Sequence, residues 1–287
     1  MTQMKPHDLI GIADVAAKIP AFLIKVPNLL TGLRQAYLRT PNTPAGLGLA
    51  FEKASQRNPE GIALRFEDQS YSYTALNAWA NQIAHFYLSL GAKKGDVVAL
   101  MVENRPELIA SVLGLAKLGV TTALVNTSQV GKVLTHSINL VKPIAVIVGE
   151  ECRNAVNEIR DDLNISSDRL HWFADQNTQA DPGQAPAGFI NLAEKIDLSP
   201  KFNPPTTHSV QGKDGLFYIY TSGTTGLPKA VIFTNGRWTL AYGTYGHVLN
   251  LKKDDVMYCT PAALSCHRHG GMLVWRDCRC RNACDST

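Results

Sequence analysis

Three short strand-like runs separated by helical patterns constrain the fold of this 287-residue chain more than any other feature. The first, Val97-Val98-Ala99-Leu100-Met101-Val102, lacks the apolar–polar alternation of a half-exposed strand. Such a run marks a strand buried on both faces of a parallel sheet. Residues 120–125 and 144–148 predict further strands. Between the first two runs, Pro106 sits at a permitted first-turn position and Gly119 is a stop signal, which predicts a helix over 106–118. Residues 130–141 predict another helix. The alternation points to an α/β fold of βαβ layers with right-handed crossovers. Upstream, residues 61–73 predict an antiparallel hairpin. Residues 74–90 predict a helix whose buried stripe is Leu76, Trp79, Ile83, Phe86, Tyr87 and Leu90.

The densest chemistry lies in Tyr220-Thr221-Ser222-Gly223-Thr224-Thr225-Gly226-Leu227-Pro228-Lys229-Ala230. Apolar runs at 216–220 and 231–233 flank it and read as short strands. Glycines bare backbone N–H groups, hydroxyls add donors and a lysine adds a point charge, which together suit a loop that holds a polyphosphate. The alternative is a plain polar hairpin with a Gly-rich tip. The common P-loop is excluded, because two residues separate Gly223 from Gly226, Pro228 precedes the lysine and a strand follows. Gly131-Lys132 fails as well, since Asn126 stands where the first glycine is needed. Gly46-Leu47-Gly48 lacks the third glycine of a dinucleotide fingerprint.

These residues resemble the phosphate-binding motif of the adenylate-forming acyl-CoA synthetases, a superfamily that also holds luciferases and peptide-synthetase adenylation domains. Tyr218-Ile219-Tyr220 with the loop, Glu103-Asn104-Arg105-Pro106-Glu107 and Ala123-Leu124-Val125-Asn126-Thr127 look most like its very-long-chain acyl-CoA synthetase and fatty-acid transport branch. The resemblance runs from about residue 51 to 261. It implies a partial N-terminal domain of an adenylate-forming enzyme, with the loop joining two antiparallel strands of a neighbouring sheet region. The implied reaction is ATP-dependent activation of a fatty acid through acyl-adenylate to acyl-CoA, with ATP, Mg²⁺ and coenzyme A. Carried over by position, Thr221, Ser222, Gly223, Thr224, Thr225 and Gly226 wrap the β- and γ-phosphates, and Lys229 offsets charge on the departing pyrophosphate. The adenine-binding motif, the ribose-binding Asp, the usual Mg²⁺ ligand and the C-terminal catalytic lysine find no counterpart, so no catalytic residue is assigned and the chain alone is expected to be inactive. The alternatives are a membrane-associated nucleotide- or fatty-acid-binding module without catalysis, and an inactive fragment.

Three segments follow: 1–45, 46–261 (the partial AMP-binding domain) and 262–287. In the first, Ile12, Val15, Ile19, Phe22, Leu23, Val26, Leu30 and Leu33 recur at helical spacing with Lys18, Lys25, Arg34 and Arg39 interspersed. Such a segment either lies on an anionic bilayer surface or packs back on the main domain. No run is long enough to span a membrane and no signal-peptide core is visible, so the expected location is the cytoplasm, with peripheral attachment to the inner membrane face as an option. A net charge of +4 without an aromatic-studded basic element argues against nucleic acid. In the tail, Cys266, Cys278, Cys280 and Cys284 mix with His267, His269, Arg268, Arg276, Arg279 and Arg281. Zinc is disfavoured there, because no Cys-x-x-Cys pair occurs and the arginines repel a dication. A frameshift is favoured: Leu264-Ser265-Cys266-His267-Arg268, written CTA-TCA-TGC-CAC-CGG, reads Tyr-His-Ala-Thr-Gly one nucleotide later, which is the sequence the family pattern expects. His136, His208 and His247 stand isolated and read as structural or surface residues. Trp238, Tyr242 and Tyr245 on a helix over 236–249 read as core in preference to a ligand wall.

Overall fold

The computed structural model describes residues 11–13, 16–20, 22–23, 26–27, 30, 41–175, 185–221, 226–248 and 255–258. The tail 262–287 therefore lies outside the described residues, as do Ser222, Gly223, Thr224 and Thr225 and residues 176–184.

Helix α1 (Leu47–Arg57) is followed by a two-stranded antiparallel hairpin, β1 (Ile62–Phe66) and β2 (Gln69–Ser72). Helix α2 (Tyr73–Ser89) starts where the Ser72 side chain accepts a hydrogen bond from the Ala75 N–H, a cap that satisfies one of the first-turn donors. Next come β3 (Val97–Met101), α3 (Pro106–Leu118), β4 (Thr121–Leu124), α4 (Gly131–Leu140) and β5 (Ala145–Gly149). These match the elements expected from the apolar runs, and Gly119 ends α3 as expected. The chain continues through α5 (Arg153–Glu158), β6 (Leu170–Phe173), β7 (Ile190–Asn191) and α6 (Leu192–Asp197). It closes with β8 (Gly215–Thr221), β9 (Lys229–Thr234) and α7 (Asn235–Val248).

The main sheet has seven strands in the order β7-β6-β5-β3-β4-β8-β9, parallel throughout except for the antiparallel β8–β9 pair. The β8–β9 hairpin is therefore an extension of the central sheet and not part of a neighbouring one: β8 pairs in parallel with β4 from Thr122↔Phe217 to Leu124↔Ile219. The reason lies in the residues, since Leu216 and Phe217 are buried against the same core as α3.

Side chains alternate across β3. Val98 and Leu100 enter a core with α1, α2, α3 and α6, while Val97, Ala99 and Met101 enter one with α4 and α5. Both faces of the sheet are thus covered, which is why the run is apolar without alternation. Helix α3 is buried along its whole length, wedged between the sheet and α2. Gly114 makes that crossing possible: a Cβ there would lie 2.6 Å from the Ala80 carbonyl oxygen. On α2, Leu76, Ile83, Phe86 and Tyr87 are buried as expected, and Trp79 and Leu90 are half-buried. Trp238 of α7 is buried in the first core and stacks on Tyr242 at 5.0 Å, as the core reading of that helix expects, whereas Tyr245, also read as core, is 41% exposed.

Candidate functional site

Because strands β3 to β8 are parallel, their carboxyl ends share one edge of the sheet. In open α/β sheets that edge is where ligands sit, outside the strand ends where the connections diverge to opposite faces. Here α3 leaves β3 toward one core, whereas α4 and α5 follow β4 and β5 toward the other, so the connections diverge on both sides of β3.

The loop leaves this edge at Thr221 and returns at Lys229. The β8–β9 ladder ends by pairing Thr221 with Lys229, and both residues are exposed. A hydroxyl and an ammonium-bearing residue thus stand at the two feet of the loop. Gly226 has φ 85°, a left-handed conformation that side chains disfavour, although a Cβ there would meet nothing within 4 Å. Its role is to bend the chain, since the space around it is open. The feet are also tied to helix α4. The Tyr220 hydroxyl donates to the Ser137 carbonyl at 2.7 Å, and the His136 ring Nε2 donates to the Pro228 carbonyl at 3.1 Å. Burial pushes the Tyr220 phenol well above its ordinary range, so it stays a donor. His136, read from sequence as isolated, is structural as expected, and its partner is the loop itself.

The Glu103-to-Glu107 motif forms a second polar knot at the same edge. Arg105 donates to the carbonyls of Ala174 (2.7 Å) and Phe173 (3.1 Å) and lies 3.3 Å from Glu151 and 3.6 Å from Glu107. The Glu103 N–H donates to Glu151 at 2.6 Å. Burial raises the Glu107 carboxyl, and the neighbouring Arg105 opposes that shift. With its planar fork spent on protein acceptors, Arg105 clamps the ends of β3, β5 and β6 and offers little to a ligand. Asn126 closes a local turn by accepting from the Ser128 N–H (3.0 Å) and hydroxyl (2.8 Å).

Sequence reading gave no sign of Lys117. Its side chain is fully buried on α3, yet its ammonium donates to Asn77 (2.6 Å), Asn81 (2.6 Å) and Asn203 (2.9 Å), with Glu52 at 4.0 Å. Burial lowers it to about 8, against the pull of Glu52. His208 also lies 3.2 Å from Glu52. These contacts pin the polar connection through residues 200–209 that leads into β8. The signal was out of reach, because Asn203 is far from Lys117 in sequence and only the fold joins them. Among the described residues no group of His, Cys, Asp and Glu could hold a metal, and Cys152 is buried, its thiol raised to about 12 by burial and by Glu151. The side chain of His247 and the cysteines of the tail lie outside the described residues.

The sequence matches the family of AMP-binding enzymes over residues 51–276. The chain belongs to that family. Its relatives include the medium/long-chain-fatty-acid–CoA ligase FadD6 of Mycobacterium tuberculosis, 32% identical over 261 residues that cover 89% of this chain and 40% of that protein. Long-chain fatty acid transport protein 1 of Rattus norvegicus is 36% identical over 219 residues, covering 74% of this chain and 32% of that one. This AMP-binding chain thus spans well under half the length of the relatives it matches. Among solved structures, the anthranilate CoA ligase AuaEII superposes with a TM-score of 0.67 at 20% identity, covering 77% of this chain and 40% of that one. The N-terminal domain of FACL13 from Mycobacterium tuberculosis superposes at 0.62 and 24% identity, covering 76% and 51%. The α/β fold of this AMP-binding chain is the one found in the N-terminal domains of acyl-CoA ligases.

Proposed function

We propose that this chain is the phosphate-binding part of an AMP-forming fatty acid–CoA ligase. The observation that supports it most is the placement of the loop between Thr221 and Lys229, at the carboxyl edge of a parallel sheet, in a member of the AMP-binding family. In the proposed reaction a fatty-acid carboxylate attacks the α-phosphate of ATP, giving acyl-adenylate and pyrophosphate, and the thiolate of coenzyme A then displaces AMP. Thr221, Ser222, Gly223, Thr224, Thr225 and Gly226 contribute hydroxyl and backbone donors to the β- and γ-phosphates, and Lys229 offsets the charge gathering on pyrophosphate. Such transfers rest on positioning and charge stabilisation. Mg²⁺ finds no ligand set among the described residues, so no step is assigned to it. The relatives are named as ligases and transport proteins, which weighs against a non-catalytic binding module.

The test is incubation with ATP, Mg²⁺, palmitate and coenzyme A, following AMP and acyl-CoA, alongside nucleotide binding. The expected outcome is ATP binding without acyl-CoA formation, with turnover restored in a version extended to the length of the relatives. A chain that binds no ATP overturns the proposal. In the N-terminal segment, Ile12, Ile19, Phe22, Leu23 and Leu30 are exposed, which supports a bilayer-surface role over packing on the main domain. Among the described residues no helix is long and apolar enough to cross a membrane. If the segment is the anchor, its deletion releases the protein from anionic vesicles; unchanged binding refutes it. Sequencing the gene across codons 264–268 tests the frameshift reading of the tail.

A further inference from the structure

We infer that His136, on α4, is a positioning residue for the phosphate loop: it holds the limb that presents Lys229, and this role rests on the phosphate-binding reading above. The loop joins β8 to β9, and among the described residues β9 is the edge strand of the sheet, with β8 as its one neighbour. Its two limbs are fastened by consecutive residues of one helix. Ser137 accepts from Tyr220 just before the loop, and His136 donates to Pro228 just after it.

The second contact has a directional consequence. Pro228 has no N–H, so its carbonyl is its one backbone polar group, and that carbonyl is given to His136. A carbonyl can only accept, so Nε2 must carry the proton. The peptide that follows is planar and trans, like every described peptide of the chain. Fixing the Pro228 carbonyl toward α4 therefore turns the Lys229 N–H the other way and sets the direction in which Lys229 leaves the loop. Ordering a backbone residue costs conformational entropy. Meeting that cost during folding, before a polyanion arrives, is what lets preorganised donors bind tightly.

The experiment uses the whole chain with inorganic pyrophosphate and MgATP as calorimetric probes, comparing H136F with H136Q. The glutamine amide keeps a donor near the place of Nε2, and phenylalanine keeps only the ring. Loss of one such hydrogen bond predicts about tenfold weaker pyrophosphate binding in H136F, with H136Q within about twofold of the parent. Equal loss in both variants, or loss in neither, overturns the role. Amide exchange gives a second readout that needs no ligand. H136F should speed exchange at Lys229 and Ala230 and leave β3 unchanged; a uniform rise across the sheet makes His136 a packing residue and overturns the proposal. If the parent chain binds no pyrophosphate, the phosphate-binding reading falls, while the exchange pattern still decides whether His136 holds the limb.

Discussion

Strands β3 and β5 bury every residue, whereas β9 leaves Val231 49% and Ile232 44% exposed although it belongs to the same sheet. The difference follows from position. A central strand is covered by helices on both faces, and its backbone is paired on both sides. The outer strand β9 is paired on one side among the described residues, and the β8–β9 hairpin carries the polar loop at its tip. Stability is concentrated in the middle of the sheet and the proposed phosphate loop lies at its margin, so substitutions at the two places should have separable effects.

The sharpest way to break that separation is to cut matched cavities. Leu100→Ala, at 1% exposure, should cost about 2–5 kcal/mol, and Ile232→Ala should cost well under half of that. Denaturant titration of both variants checks it, and similar midpoints would erase the distinction.

The next effect is pH-dependent and sits beside the centre. His171 of β6 is fully buried, with Nδ1 2.7 Å from the Tyr87 hydroxyl and Nε2 without a partner. Burial, helped by Arg169, lowers it to about 4 from 6.5. Between those values the unfolded chain binds a proton that the folded chain refuses. Its contribution is therefore present above pH 6.5 and is lost as the pH falls toward 4, amounting to about 3 kcal/mol. The stability of the parent minus that of His171→Phe, measured across this range, should decline toward acid by that amount. A flat difference would mean that the imidazole ionises without penalty.

The smallest stability effect belongs to the margin. Lys229→Ala should move stability by less than about 0.5 kcal/mol. The same change should weaken pyrophosphate binding by about tenfold to a hundredfold, the worth of a charged hydrogen bond. Thermal melting beside calorimetry measures both quantities, and a large loss of stability with intact binding would reverse the assignment of roles.

The same contrast governs what could be read from sequence. Runs such as 97–102 are legible because burial on two faces leaves only apolar residues, and Pro106 and Gly119 mark the helix between runs. Strand β6 escaped notice because Leu170-His171-Trp172-Phe173 is short and holds an imidazole, and β7 has only Ile190 and Asn191. The loop stood out in the sequence through its glycines, hydroxyls and lysine, and the structure sets its two feet at the end of the β8–β9 ladder. Its supports were not legible: Ser137 lies 83 residues before Tyr220 and His136 lies 92 before Pro228, and no local pattern ties them together. Lys117 shows the same limit, since a lysine within an apolar helix reads as a solvent-facing interruption until its three amide partners converge.

The strand order also bears on how the protein is made. β3 emerges first and occupies the middle; β4 adds to one flank, β5 to the other, then β6 and β7 extend one side and β8 and β9 the opposite side. Each new strand joins an outer edge of what already exists, and none has to be threaded between two neighbours. A chain leaving the ribosome from its N-terminus can thus lay down the sheet from the inside outward. The hydrogen-bonding rims exposed at each stage are the ones that the next segments cover, so the nascent sheet is never asked to open again.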